Sequence, residues 1–272
     1  MSALDVKCEV LRDNLRSAGR IAVAFSGGVD STLLLHVAHD VLGDNAVAIT
    51  ACLHSLDPAD LDEARLFCKR NGIQHIEVPL NELEVPGFRE NPPDRCYLCK
   101  KSVFGSILET ARAAGFPIVA EGSNMDDLDD YRPGNRAIRE LAVKSPLLEA
   151  GFTKEDVREL SRRLGLPTWS KPSAACLASR FAYGETITDE GLARVAAGEA
   201  YLRERGFNRV RVRIHGNLAR IEVEPERVVE LLGEPLRAEV LQRMKELGFA
   251  YTTIDLTGYR MGSMNEALSA SS

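Results

Sequence analysis

The first 165 or so residues switch between two hydrophobic periods. Residues 4–18 set charges among apolar positions at helical spacing and predict a helix. Residues 21–26, IAVAFS, are a short apolar run that reads as a buried parallel strand. Residues 31–43 read as a helix closed by Gly43, and residues 46–53 as a second strand. Asp57 then serves as an N-cap, Pro58 takes the first helical position, and Gly72 ends the helix. Residues 75–80 give a third strand, 97–115 a helix and 116–122 a fourth strand. Residues 153–165 form a helix with Thr153 as N-cap and Asp156 as its capping-box acid. This order predicts an α/β fold with a doubly wound parallel sheet.

The pattern changes over residues 166–185, which lack periodicity and are rich in small side chains. Beyond them come a helix (188–206), two strands (209–216 and 218–224) joined by the turn HGN at 215–217, two helices (225–232 and 235–248) and a strand (251–256). The reading is a second, smaller α+β domain, with residues 1–168 and 169–272 as the two domains. The tail LSASS at 268–272 reads as disordered.

Composition narrows the function classes. The chain is 44% hydrophobic and 27% charged, ordinary for a soluble globular protein. No run reaches the ~18 apolar residues that a membrane span needs. The N-terminus does not read as a signal peptide, which predicts a cytoplasmic protein. Thiols stay reduced there, so the six cysteines are not a disulfide framework and lean toward metal or catalysis. A net charge of −6 weighs against a nucleic-acid partner.

Three stretches carry candidate chemistry. AFSGGVDST (24–32) joins the first strand to a helix. Its glycines let backbone N–H groups close on an anion, and the helix N-terminus adds its dipole. Ser26, Ser31 and Thr32 offer hydroxyls, whereas Asp30 would repel a phosphate unless Mg²⁺ lay between them. The loop is neither a Walker A loop nor G-x-G-x-x-G. EGSNMDDLDDYRPG (121–134) follows the fourth strand; Gly122 permits a tight turn beside a nucleotide, and Asn124 and Asp127 are candidates for ligand or Mg²⁺ contact. Asp129 and Asp130 read as a solvated loop, and Arg132, Arg136 and Arg139 face an anionic substrate or solvent. In PDRCYLCKK (93–101), Cys96 and Cys99 suit a redox disulfide, half a zinc site, two ligands of an iron–sulfur cluster, or packing. Cys176 lies among small residues, where Arg180 and Lys171 would favour its thiolate. Cys8, Cys52 and Cys68 read as packing cysteines.

SGGVDS resembles the signature of the PP-loop family, the N-type ATP pyrophosphatases of adenine nucleotide alpha hydrolase-like fold. That resemblance implies cleavage of ATP to AMP and pyrophosphate, adenylation of a substrate oxygen, and displacement of AMP by a nucleophile. It implies that Ser26, Gly27, Gly28, Asp30, Ser31 and Thr32 bind the pyrophosphate end of ATP, with residues 51–54 near the adenine. Gly122, Asn124 and Asp127 match the G-[ST]-N-x-x-[DE] stretch of the same superfamily.

PSAACLASR, YRPGNRA, RVRVRIHGNLARIEV and GYRMGSMNEAL together are similar to the LarE-type ATP-dependent sulfur transferases, and the motifs span residues 24–268. The resemblance implies conversion of a carboxylate of pyridinium-3,5-biscarboxylic acid mononucleotide to a thiocarboxylate, in nickel-pincer nucleotide cofactor biosynthesis. In many members the cysteine matching Cys176 gives up its sulfur and ends as dehydroalanine. Such chemistry asks for a thiolate at Cys176 beside Arg180, a base or Mg²⁺ ligand, for which Glu199 and Glu222 are candidates, and cations for the substrate phosphate. Arg211 and Arg213, two apart on one strand, point the same way and suit that phosphate. Relatives with three cysteines in this arrangement hold a [4Fe–4S] cluster, here implied at Cys96, Cys99 and Cys176, whose open iron carries the transferred sulfide. The cluster ranks first, a sacrificial or relay cysteine second, and zinc or packing last, since zinc would need a fourth ligand such as His54, His75 or His215. The resemblance also implies a homo-oligomer and a sulfide or cysteine-desulfurase donor. A tRNA thiolase, an ammonia-using PP-loop ligase and a nucleotide-binding sensor are the competing readings.

Overall fold

The structure, a computed structural model, describes residues 2–128, 134–172 and 176–260. The expectations for Asp129, Asp130, Arg132 and the tail at 268–272 lie outside these residues. The chain divides into two compact units: Met1–Val85 with Asp94–Ala174, and Pro86–Pro93 with Ala175–Ser272.

The first unit runs α1 (Ala3–Ala18), β1 (Ile21–Ala24), α2 (Val29–Leu42), β2 (Ala46–Cys52), α3 (Pro58–Asn71), β3 (His75–Pro79), α4 (Arg95–Ala113), β4 (Ile118–Ala120), α5 (Gly134–Glu140), α6 (Pro146–Glu149) and α7 (Lys154–Arg163). All four strands are parallel, in the order β3-β2-β1-β4. Successive strand residues point to opposite faces, and the core follows that period. Ile21, Val23, Ala46 and Ala48 join α1, α2, α3 and α7 in one cluster. Ala22, Val47 and Ile49 join α4 and α5 in another. The sheet is therefore covered on both faces, which is the doubly wound α/β arrangement.

Caps read from the sequence hold. Asp57 accepts the Ala59 N–H, and the Thr153–Asp156 capping box is complete. Three boundaries move. Helix α2 begins at Val29, so Asp30, Ser31 and Thr32 sit in its first turn behind an extended Gly28. Helix α4 begins at Arg95, which places both cysteines of the C-x-x-C pair inside a helix. Strand β4 keeps only three residues, because the chain must turn at Gly122 to pass over the start of α2.

The second unit holds α8 (Asp189–Glu204), β5 (Arg211–His215), β6 (Leu218–Glu222), α9 (Leu236–Glu246) and β7 (Tyr251–Ile254). Strands β5 and β6 are an antiparallel hairpin turned at Gly216 (φ 56°), and β7 adds parallel to β6. Gly198 of α8 lies against Val212 of β5 and Met244 of α9, where an added Cβ would come within 3.3 Å of Val212. Residues 225–232 form a 3-10 helix rather than the expected α-helix. Its buried residues, Val228 and Leu231, are three apart, which is the 3-10 repeat. Residues 86–93 join this unit through buried Asn91, whose Nδ2 donates to Phe181 O (3.3 Å) and Ala182 O (2.6 Å). Among the described residues no helix is long and apolar enough to cross a membrane.

Candidate functional site

The glycine loop continues β1. Phe25 N donates to Ile49 O (2.9 Å), and Phe25 O accepts the Thr50 hydroxyl (2.6 Å). That hydrogen is then committed, so the 2.8 Å contact between Thr50 Oγ1 and His75 Nε2 has the imidazole as donor. Burial lowers the His75 pKa, so the neutral ring carries its proton on Nε2. The sheet thus fixes the residue before Ser26 through a chain of two side chains.

Gly27 has φ 69°, and a Cβ there would lie 3.2 Å from Asp60 O, so both backbone and space require glycine. Ser26 and Ser31 face each other, their Oγ atoms 3.1 Å apart, and Ser26 N donates to Ser31 Oγ (3.3 Å). Ser26 is exposed at the mouth of the loop, and Ser31, buried at 5% exposure, lies beside it in the first turn of α2. Thr32 differs: it is wholly buried, so its hydroxyl does not meet solvent where a phosphate would arrive.

The loop after β4 packs on this turn. A Cβ on Gly122 would stand 2.9 Å from Ser31 N and 3.0 Å from Asp30 C, so the glycine serves close packing of two backbones. Asn124 Nδ2 donates to Asp30 Oδ1 (3.1 Å), while Asp127 Oδ2 accepts the Asn124 N–H (3.0 Å) and braces its own loop. Lys154 pairs with the other oxygen of Asp30. Both oxygens of Asp30 therefore carry protein donors. Each carboxylate oxygen keeps a second lone pair, so Asp30 remains a candidate Mg²⁺ ligand beside substrate phosphates.

Two more groups shape the loops at the strand ends. Glu82, fully buried, accepts the N–H groups of His54 (3.0 Å) and Ser55 (2.5 Å), which pins the segment after β2. Lys171 reaches Gly27 O (3.3 Å) but is paired with Asp60 (2.7 Å) and Glu63 (2.6 Å). Burial opposes its charge; the two carboxylates outweigh burial and raise its pKa. Lys171 is thus paired within the first unit, and Cys176 belongs to the second.

Cys96 and Cys99 occupy the first turn and a half of α4, three residues apart and hence on one face. Cys96 is exposed and Cys99 half-buried. They lie at the positive end of the helix, and Arg95 Nη2 lies 4.0 Å from Cys96 Sγ. This soft-donor pair fits two ligands of an iron–sulfur cluster. Cys176 is exposed and belongs to the second unit. Among the described residues no group of three His, Cys, Asp or Glu side chains is arranged to hold a metal ion. None of the six cysteines is in a disulfide, and burial pushes the Cys68 thiol up to about 12. Arg136 stacks on Tyr97, 3.5 Å from its ring centroid, and pairs with Glu140.

The second unit arranges its candidates as ion pairs. Arg180 Nε and Nη2 bond Glu199 at 2.7 and 2.9 Å. Arg213 bonds Glu222 with the same bidentate geometry and distances. Burial opposes the charge on Arg180, and Glu199 outweighs it, holding the guanidinium protonated. Glu199 also accepts the Val212 N–H (3.1 Å), and Glu222 accepts Arg220 (3.2 Å). Both glutamates have no exposed surface. In this arrangement neither offers an oxygen for the base or Mg²⁺ role expected of it; each holds an arginine in place. Arg213 also donates to Ser179 O (2.9 Å), so it too is held within the unit. Arg211 donates to Val210 O (2.8 Å) and the Tyr259 hydroxyl (3.4 Å). Burial and the like charge of Arg180 lower its pKa, a setting that an anion would relieve. Lys154 and Glu82 carried no signal in the sequence: their partners lie far along the chain, and neither belongs to a motif; Tyr259 lies in GYRMGSMNEAL, but its contact with Arg211, 48 positions away, was not legible there.

A family model described as a PP-loop domain matches residues 3–114. A pyridinium-3,5-bisthiocarboxylic acid mononucleotide synthase of Lactiplantibacillus plantarum is 39% identical over 269 residues, 98% of this chain and 97% of that protein. An uncharacterised protein of Synechocystis is 46% identical over 97% of this chain and 99% of its own length. A tRNA-specific 2-thiouridylase of Rhizobium leguminosarum is 27% identical over 66% of this chain and 56% of its own length.

Proposed function

Because the chain belongs to the PP-loop family, in the group of the pyridinium-3,5-bisthiocarboxylic acid mononucleotide synthases, we propose how its residues divide the work of an ATP-dependent sulfurtransferase. One observation carries the reading: near full-length identity to such a synthase, in a chain whose glycine loop is built as an anion site. The backbone N–H groups of residues 26–28 and the α2 N-terminus receive the phosphates, with the Ser26 and Ser31 hydroxyls beside them. Residues 51–54, braced by Glu82, line the adenine. Mg²⁺ would be held by Asp30 or Asp127 and would offset the charge of the phosphates. The substrate carboxylate attacks the α-phosphorus of ATP, the α–β bond breaks, and pyrophosphate leaves. A sulfur nucleophile then adds to the acyl carbon, and AMP leaves with the C–O bond pair. Domain roles follow the motifs: residues 1–168 activate, residues 169–272 receive the mononucleotide and sulfur.

Arg211 takes the substrate phosphate, and Arg213, fixed by Glu222, holds the strand beside it. Arg180, fixed by Glu199, donates to Cys176 O (3.2 Å) and sets the backbone of that cysteine. A [4Fe–4S] cluster bound by Cys96, Cys99 and Cys176 would supply an open iron for exchangeable sulfide. The exposed Cys176 also supports sacrificial donation, with loss of its sulfur as the thiocarboxylate. The chain acts in the cytoplasm as a homo-oligomer, reloaded by a sulfide or cysteine-desulfurase donor.

The test is intact mass after turnover with ATP and the dicarboxylate, combined with iron and sulfide analysis of anaerobically prepared protein. Unchanged mass, bound iron, and loss of iron in Cys96→Ala/Cys99→Ala are the expected result. A 34 Da loss (about one H₂S) at Cys176 with no iron bound would replace the cluster by the sacrificial route. Full multiple-turnover activity in Cys176→Ala would remove both.

A further inference from the structure

The glycine loop holds a contradiction in charge. Asp30 sits in the first turn of α2, beside the N–H groups that would receive a phosphate tail. The helix dipole welcomes one anion there, but Asp30 and a polyphosphate repel each other. Sequence alone suggested a metal ion as the only remedy. The structure holds another, made of protein.

Lys154 is the first residue of α7, its backbone fixed by the Thr153–Asp156 capping box. Helix α7 shares the buried cluster of α2 through Val157 and Leu160. The start of α7 is thereby held near the start of α2, although Lys154 and Asp30 are 124 residues apart in sequence. The ammonium group pairs with Asp30 Oδ2, while Asn124 occupies Oδ1. The neighbouring cation, Lys171, is balanced by Asp60 and Glu63. Lys154 meets one carboxylate among the described residues, and that carboxylate is Asp30. Both side chains keep about a quarter of their surface exposed, 28% and 23%, so the pair stands at the edge of solvent where a ligand arrives.

We infer that Lys154 is a positioning residue for the nucleotide: by neutralising Asp30 it lets the loop accept the phosphate tail of ATP. With the ion pair in place, the N–H groups and the helix dipole govern the field that the phosphates meet. Without Lys154, the carboxylate faces them with only a neutral amide beside it. The inference rests on the loop taking ATP, as proposed above, and not on which acceptor receives sulfur.

The experiment measures ATP binding to the full chain by calorimetry, for wild type, Lys154→Met, Lys154→Arg, Asp30→Asn and Lys154→Met/Asp30→Asn. Thermal melts confirm that each variant is folded. Lys154→Met weakens ATP by at least about tenfold. Lys154→Arg stays within about threefold of wild type, because the charge is kept. Adding Asp30→Asn to Lys154→Met restores most of the lost affinity, since the repelling carboxylate is gone. Wild-type affinity in Lys154→Met would overturn the inference, and so would a loss that Asp30→Asn leaves unchanged. Failure of the wild type to bind ATP would instead refute the nucleotide reading.

Discussion

The candidate site residues of the two units treat charge in opposite ways. In the second, Arg180 and Glu199 are 3% and 0% exposed and joined by two hydrogen bonds, and Arg213 with Glu222 repeats the arrangement. In the first, Lys154 and Asp30, a pair at the anion loop, keep contact with water. A buried pair cannot exchange partners cheaply, because either ion alone would lack compensation in a dry interior. A half-exposed pair can open when a ligand comes. The ion pairs of Arg180 and Arg213 therefore fix positions, whereas the pair of Lys154 and Asp30 stays exchangeable for a nucleotide that must enter and leave.

The sharpest way to break this comparison is to remove one partner from each kind of pair. Arg180→Met strands Glu199 in the interior and is expected to cost about 3–5 kcal/mol of stability in the second unit. Asp30→Asn in the first unit is expected to cost less than about 1 kcal/mol. Urea unfolding, with hydrogen exchange at the β5 and β6 amides to assign the unit affected, measures both. Equal costs would mean that burial is not what separates them.

Glu82 is the instructive exception. It is a fully buried carboxylate in the first unit, held by the backbone N–H groups of His54 and Ser55 rather than by an arginine. Glu82→Gln sets an NH₂ against one of those donors, and the expected loss is about 1–3 kcal/mol. If charge in the first unit were needed only near solvent, the substitution would be silent by urea unfolding.

Legibility from sequence followed the range of each interaction. The Asp57 cap, the capping box at Thr153, the Gly216 turn and the glycine loop depend on residues a few positions apart, and each was readable. The continuous apolar runs of β1 and β2 announced a sheet covered on both faces. The hidden part was long-range. Nothing near Lys154 marks it as the partner of Asp30, and nothing in residues 86–93 shows that Asn91 ties them to residues 181 and 182. Glu199 and Glu222 belong to the residue types least often buried, and only their arginines, 19 and 9 positions away, explain their burial.

The smallest expected effect concerns Glu77 on β3, which bonds Arg65 Nε and Nη2, both at 2.7 Å. The side chains are a third and nearly half exposed, so this is a pair of the first unit's kind. The Arg65 bonds hold the Glu77 pKa at about 2, below its ordinary 4.5, against a smaller opposing effect of burial. A carboxylate whose folded value is depressed stabilises the fold fully above its ordinary value. That contribution is lost as pH falls toward the folded value. The window is therefore pH 4.5 down to about 2. Acid unfolding followed at low salt should be steeper for wild type than for Glu77→Gln within that window. Exposure and mobile ions screen the pair, so the gap should narrow as salt rises to about 0.5 M. A gap that salt leaves untouched would place this pair with the buried ones, and the division between the units would then not extend to β3.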